Sequence, residues 1–246
     1  MPGVAASVAG LWRYPASSLA GEAMAAIAIG AGGVAGDRGY GIIDAAGDIA
    51  RPTAPDGRWR KTALIAARLS PGGALAIAVP GGDWLPAPGA AADAAVSAFL
   101  GFAARLVPLS GEPAPPGYAG PLGAARYVKA PVHLLTTASL ARLRALHPAG
   151  AVEPRRFRSN ILVELGEDGF AEAGWTGGRI RIGEVELAVS EPCRRCGFTT
   201  LAQEGLDEDP EILRTIVRHA GRNLGVYCAV ARPGRVSLGD AVRLVG

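Results

Sequence analysis

The feature that most constrains the fold is punctuation. Apolar runs stay short and repeatedly stop at glycine and proline. Residues 179–182 and 185–189 flank Gly183-Glu184, residues 63–69 and 74–79 flank Ser70-Pro71-Gly72-Gly73, and residues 41–44 and 49–51 flank Ala45-Ala46-Gly47-Asp48. Each pair reads as a β-hairpin, because the turn residues supply the backbone geometry that two short strands need between them. A first strand over 4–14 ends at Tyr14-Pro15, where proline drives the preceding residue out of helical geometry. Strands over 226–230 and 236–245, joined across Arg232-Pro233-Gly234, close the chain. The expected class is mainly β (α+β), with a few peripheral helices.

Helices are predicted at three places. Residues 91–100 are alanine-rich, with Val96, Phe99 and Leu100 on one side. After a short strand at Val132-His133-Leu134-Leu135, Thr136 or Thr137 can cap a helix carrying Leu140, Leu143 and Leu146 at helical spacing. Asp209-Pro210-Glu211 joins a cap, a first-turn proline and an acid at the positive end of the helix dipole. That helix runs through Ile212, Leu213, Ile216 and Val217 to Ala220, and Gly221 stops it, leaving His219 on the surface. Between Gly111 and Gly123, four prolines and four glycines resist packing into an element. The chain is therefore divided there into regions 1–110 and 125–246.

Composition excludes more than it suggests. A net charge of +3 over 246 residues demands neither nucleic acid nor membrane as a partner. The scattered aromatics form no stacking platform for single strands. No run approaches the roughly 18 apolar residues of a spanning helix. The start lacks the basic and apolar regions of a signal peptide, so a cytoplasmic location with reduced cysteines is expected. Lysine occurs only at Lys61 and Lys129, so nearly all positive charge is arginine, whose planar fork suits phosphate and carboxylate.

The chemistry concentrates in Glu191-Pro192-Cys193-Arg194-Arg195-Cys196-Gly197-Phe198-Thr199-Thr200. Guanidinium charge beside a cysteine favours the thiolate, the form that binds metals and attacks electrophiles. The Cys-x-x-Cys spacing alone leaves several readings open. A structural zinc would have to find its remaining ligands among Cys228, His133, His147 and His219. A redox dithiol would want a βαβ setting, and two small side chains filling apolar space would need no chemistry at all. Asp37-Arg38 opens a strand and reads equally as a local ion pair. Arg155-Arg156-Phe157-Arg158-Ser159-Asn160 reads as a solvated basic turn or as an anion site. Gly30 to Gly36 lacks the ending of a phosphate-binding P-loop, and no HExxH, Gly-x-Ser-x-Gly or EF-hand pattern appears.

Taken together, the motifs resemble one family in order and spacing. Tyr14-Pro15-Ala16-Ser17-Ser18, Gly36-Asp37-Arg38-Gly39-Tyr40, Arg156-Phe157-Arg158-Ser159-Asn160, the turn at Trp175, Cys193-Arg194-Arg195-Cys196 with Thr199-Thr200, and Gly225-Val226-Tyr227 through Pro233-Gly234 to Gly239-Asp240 follow the pattern of MOSC-domain proteins. The likeness is to the two-part members similar to the amidoxime-reducing component: a β-rich N-terminal region followed by a MOSC β-barrel.

That resemblance implies a pterin-bound molybdenum cofactor (molybdopterin) whose metal is held by one cysteinate, Cys196, with Cys193 not required. It carries cofactor contacts onto Ser18, Arg38, Arg158, Asn160, Arg194 and Tyr227. The implied activity is reduction of N-hydroxylated or related N-oxygenated compounds, with Cys196 the catalytic position. Electrons would come from a separate ferredoxin or flavoprotein, since three cysteines are too few for a fused plant-type cluster. The alternative is a cofactor carrier or sulfur-transfer module. Pyridoxal phosphate binding also goes with the family, although nothing here resembles a desulfurase domain that uses it. One position departs from the pattern: Ser17 stands where the family has lysine, and Lys129 or Arg51 would have to replace that charge.

Overall fold

The computed structural model describes residues 6–111, 119–120, 122–123, 131–166 and 168–245. In chain order the strands of the first part are β1 (Ala6–Arg13), β2 (Glu22–Ala23), β3 (Ala26–Gly30), β4 (Gly33–Val34), β5 (Tyr40–Asp44), β6 (Ala66–Leu69), β7 (Leu75–Ala78), β8 (Leu85–Ala87) and β9 (Ala104–Pro108), with α1 (Ala90–Leu100) before the last. The second part holds β10 (Val132–Thr136), α2 (Thr137–Leu146), β11 (Ile161–Glu164), β12 (Arg179–Ile182), β13 (Val185–Arg194), α3 (Pro210–Ala220), β14 (Asn223–Arg232), β15 (Gly234–Ser237) and β16 (Ala241–Val245). The linker expected over 111–123 and Lys129 lie mostly or wholly outside the described residues.

Seven strands close a barrel in the order β11, β10, β14, β13, β12, β16, β1, with β1 pairing back onto β11. All neighbours are antiparallel except β10 and β11, which are parallel and joined through α2. Alternation explains why these segments are strands and which way they face. In β12, Ile180 and Ile182 are buried while Arg179 and Arg181 are exposed, and Val185, Leu187 and Val189 point inward from β13. These side chains meet Val8, Leu11, Val226 and the buried Cys228 inside the barrel. β10 is buried along its whole length, as a strand covered on both faces must be. Its outer residue Leu135 packs with Leu140, Leu143, Phe157, Ile212 and Ile216 beneath α2 and α3.

The helix ends match their sequence signals. The Thr136 hydroxyl accepts the Ser139 amide, the Asp209 carboxylate accepts the Glu211 amide, and Gly221 takes the left-handed conformation that ends α3. No helix among the described residues is long and apolar enough to cross a membrane.

The first part builds a second core. Ile42, Trp59, Ile65, Ile77, Val96 and Leu106 pack between the β5–β9 pair, the β6–β7–β8 sheet and α1. The hairpin expected over 41–51 is reduced here: Ile49 makes a single bridge to Ile43, and the ladder partner of β5 is β9, far along the chain. The expected turn itself forms, with the Asp44 carboxylate accepting the Ala46 and Asp48 amides and the Ala50 amide donating to the Ile42 carbonyl, while β9 supplies the long ladder of five paired residues, Tyr40↔Pro108 to Asp44↔Ala104. The strand expected over 236–245 is broken at 238–240, so that β15 pairs with β3 while β16 joins the barrel.

Candidate functional site

Strained backbone marks the site before any side chain does. Among the described residues, four other than glycine adopt positive φ: Ser18 (70°), Arg38 (56°), Arg158 (54°) and Arg222 (72°). Each such conformation costs on the order of 1–3 kcal/mol and persists only where surrounding contacts enforce it. Hydrogen bonds link three of the four. Arg38 Nη2 donates to the Arg158 carbonyl (3.0 Å), and Arg158 donates to the carbonyls of Ala16 and Leu19, on either side of Ser17-Ser18. Both guanidinium groups lie over the Tyr14 ring, at 5.0 Å for Arg38 and 4.3 Å for Arg158. Burial pushes the Tyr14 hydroxyl up to about 12 despite these cations, so the ring is a neutral platform between them.

Asp37 is the brace for Arg38. It pairs with the guanidinium and accepts the Tyr14 amide (2.7 Å), so the ion-pair reading of Asp37-Arg38 holds while Arg38 also reaches Arg158. The reading of 155–158 as a solvated turn does not hold. Pro154–Phe157 is a 3-10 turn, and Arg156 is fully buried, its guanidinium spent on the carbonyls of Ala151, Leu201 and Asp207. Asn160 is buried too: its side chain accepts the His133 amide and donates to the Trp12 carbonyl, pinning β1 beside β10.

The cysteine stretch arrives as the extended end of β13. Residues three apart in an extended chain face opposite ways. Cys193 and Arg195 are therefore buried, while Arg194 and Cys196 are exposed. Cys196 stands at the start of a 3-10 turn, Gly197–Thr200, whose Phe198 ring lies 5.0 Å from the Arg158 guanidinium. The exposed sulfur thus belongs to the same place as Arg158, Arg38 and Ser18. A Cβ on Gly197 would lie 3.4 Å from Thr53, which puts the turn after Arg51 beside Cys196 as well. Arg51 itself is exposed, and Ser17, at the departing position, is buried with its amide donated to Tyr40.

The inward pair forms a network that the motif alone did not reveal. Arg195 Nη1 donates to Cys193 Sγ (2.8 Å) and its Nη2 donates to the Phe157 carbonyl (2.6 Å), the residue before Arg158. His133 from β10 and Tyr227 from β14 also bond to the Cys193 sulfur, with the two rings 5.4 Å apart. Burial opposes ionisation of Cys193, yet Arg195 and then His133 hold its thiol down at about 6. Cys228, buried without such partners, is pushed up to about 12 and is inert at neutral pH. Guanidinium charge beside a cysteine was expected from the motif, but the sulfur it serves is Cys193, through Arg195, and the joining of His133 to that sulfur was not expected. Strand alternation through Cys193-Arg194-Arg195-Cys196 was the signal that could have found Arg195.

Comparison with known proteins points the same way. The MOSC domain family matches residues 110–243. Human mitochondrial amidoxime-reducing component 1 is 33% identical over 129 residues, which is 47% of this chain and 37% of that protein. Molybdenum cofactor sulfurases of Drosophila mojavensis and Drosophila grimshawi are 36% and 39% identical over 74 residues, 29% of this chain and 9% of each sulfurase. The chain therefore spans little more than a third of the first of these relatives and about a tenth of the others. The crystal structure of the YUAD protein from Bacillus subtilis superposes over 98% of this chain and 95% of its own, with a TM-score of 0.52 at 17% identity, a likeness of fold.

Proposed function

The chain belongs to the MOSC domain family, and from that premise we propose that it is a molybdenum-dependent reductase of N-hydroxylated or related N-oxygenated compounds, binding a pterin-type molybdenum cofactor where the turn that follows Cys196 lays Phe198 against Arg158. The observation that carries this reading is convergence: an exposed sulfur, two guanidinium groups over one tyrosine ring and three linked positive-φ residues lie together.

The donor set fits such a group. A soft thiolate at Cys196 suits molybdenum, and the forked cations Arg38, Arg158 and Arg194, with the Ser18 hydroxyl, suit a phosphate tail and polar pterin edges. When bound, the cofactor supplies two-electron removal of oxygen from the substrate, and the protein supplies binding and electrostatics. The Tyr14 ring carries both guanidinium groups before any anion arrives, so less reorganisation is needed on binding. Asn160 acts one layer below, fixing the strand that leads out of Arg158. Tyr227, from β14, bonds to the inward-facing Cys193, so its link to the site runs through the strand that carries Cys196. Electrons come from a separate iron–sulfur or flavin protein.

The sulfurase relatives favour a second reading, a carrier or sulfur-transfer module using the same exposed thiol. Two measurements on protein made in a cofactor-competent host separate these. Elemental analysis is expected to find molybdenum, with occupancy reduced severalfold in Arg158→Ala; unchanged occupancy in that variant would remove Arg158 from the site. Benzamidoxime reduction with an artificial electron donor is expected to proceed, whereas molybdenum without turnover would favour the carrier.

A further inference from the structure

Arg195 is a clamp that ends on a sulfur, and we propose that Cys193 is the buried anion that positions it, and through it sets Cys196 against Arg158. The cofactor contact is part of the reading above, but the clamp is a property of the chain alone.

The guanidinium of Arg195 is more than nine-tenths buried, and its Nε has no hydrogen-bond partner among the described residues. No carboxylate among them lies within ion-pair distance of it. A buried cation without a counter-charge is costly enough that the fold must supply one. The sulfur of Cys193, 2.8 Å from Nη1, is placed to be that charge. Short contacts of this kind are typical when donor or acceptor is ionised. Three donors converge on it from three elements: Arg195 beyond the end of β13, His133 from β10 and Tyr227 from β14. A thiol is a weak acceptor and would not repay three donors, whereas a thiolate does. The depressed Cys193 pKa of about 6 agrees with this arrangement.

What the anion holds is the junction between two loops. Arg195 Nη2 ties to the Phe157 carbonyl, its amide donates to the Arg222 carbonyl, and Arg222 Nε donates back to the Arg195 carbonyl. The residue that precedes Cys196 is thereby tied to Arg222 on one side and, on the other, to Phe157, the residue that precedes Arg158. The family pattern makes Cys193 dispensable as a metal ligand; the geometry gives it this other task. It is a positioning residue.

The test uses the full chain and needs no cofactor. In Cys196→Ser the remaining cysteines are Cys193 and Cys228, and titration of the thiolate ultraviolet absorbance is expected to show a step at about 6, well separated from Cys228 at about 12. Adding Arg195→Gln is expected to move that step up toward the ordinary thiol value of 9.0. A step at the ordinary value with Arg195 intact overturns the proposal. Amide hydrogen exchange in segment 155–160 supplies the second readout. Cys193→Ser, neutral and of similar size, is expected to speed exchange there on the order of tenfold at pH 8, and Cys193→Asp, which restores a negative charge, to recover protection. Native protection in Cys193→Ser would show that the sulfur only fills space. Because neither readout involves molybdenum, failure here is distinguishable from failure of the cofactor reading.

Discussion

Replacing Cys196 by alanine is expected to abolish benzamidoxime reduction while leaving the fold intact. The two halves of that expectation come from different observations. The side chain is exposed, so its truncation opens no cavity, and a surface change of this kind shifts stability by only about 0.5 kcal/mol. On the proposed reading turnover would be lost, because no other cysteine can take its place. Cys193 faces the interior and is bonded to Arg195, and Cys228 lies inside the barrel. Turnover and thermal unfolding measured on the same preparation check both parts. Retained turnover would show that another group holds the metal, and a large drop in melting temperature would show that the sulfur serves the fold.

Gly225→Ala is expected to have the largest effect on stability. A Cβ there would sit 2.4 Å from His133 Nε2 and 2.7 Å from the Leu134 carbonyl, at a φ of 80°. Left-handed strain and a clash with backbone add, for a loss of about 3 kcal/mol or more. Gly221→Ala is the control: its φ is 55° but nothing lies within 4 Å of the added carbon, so only the conformational term of about 1 kcal/mol remains. The contrast isolates how tightly β14 is pressed against β10. The clash also drives His133 off the Cys193 sulfur, so the thiolate step of Cys193 should move upward in any Gly225→Ala protein that folds. Denaturant unfolding of the two variants side by side is the measurement, and equal losses would contradict the packing described.

These two sites show what kind of information a sequence of this type carries. The hairpin of β12 and β13 was legible because its turn is two residues and its alternation strict, so every pairing from Arg179↔Ala188 to Ile182↔Val185 is local. α3 was legible for the same reason, its cap, proline and glycine all lying within the element. The closure of the barrel was not. β1 announces itself as a strand, but its partners β11 and β16 lie more than 140 residues away, and nothing in Ala6–Arg13 says which edges it joins. Arg156 failed for a related reason: two of the three carbonyls that bury it, at Leu201 and Asp207, come from a distant segment. A basic residue in a basic run looks solvated until those acceptors are in place.

The candidate site was legible as a set and not as a mechanism of assembly. The family pattern brought Ser18, Arg38, Arg158 and Cys196 forward, and the structure gathers them through Tyr14 and Phe198. It could not give the strain at Ser18, Arg38 and Arg158, since positive φ at serine and arginine is imposed by tertiary contacts rather than by residue preference. Nor did Cys-x-x-Cys distinguish its two sulfurs. The alternation that buries Cys193 and exposes Cys196 required knowing that the stretch is extended.

The most direct measurement is X-ray absorption at the molybdenum edge of the native protein and of its two single cysteine-to-serine variants at positions 193 and 196. The account predicts that Cys196→Ser loses one sulfur neighbour of the metal, while Cys193→Ser keeps the native sulfur shell in whatever molybdenum it retains. An unchanged shell in Cys196→Ser, or the loss appearing in Cys193→Ser instead, would contradict it.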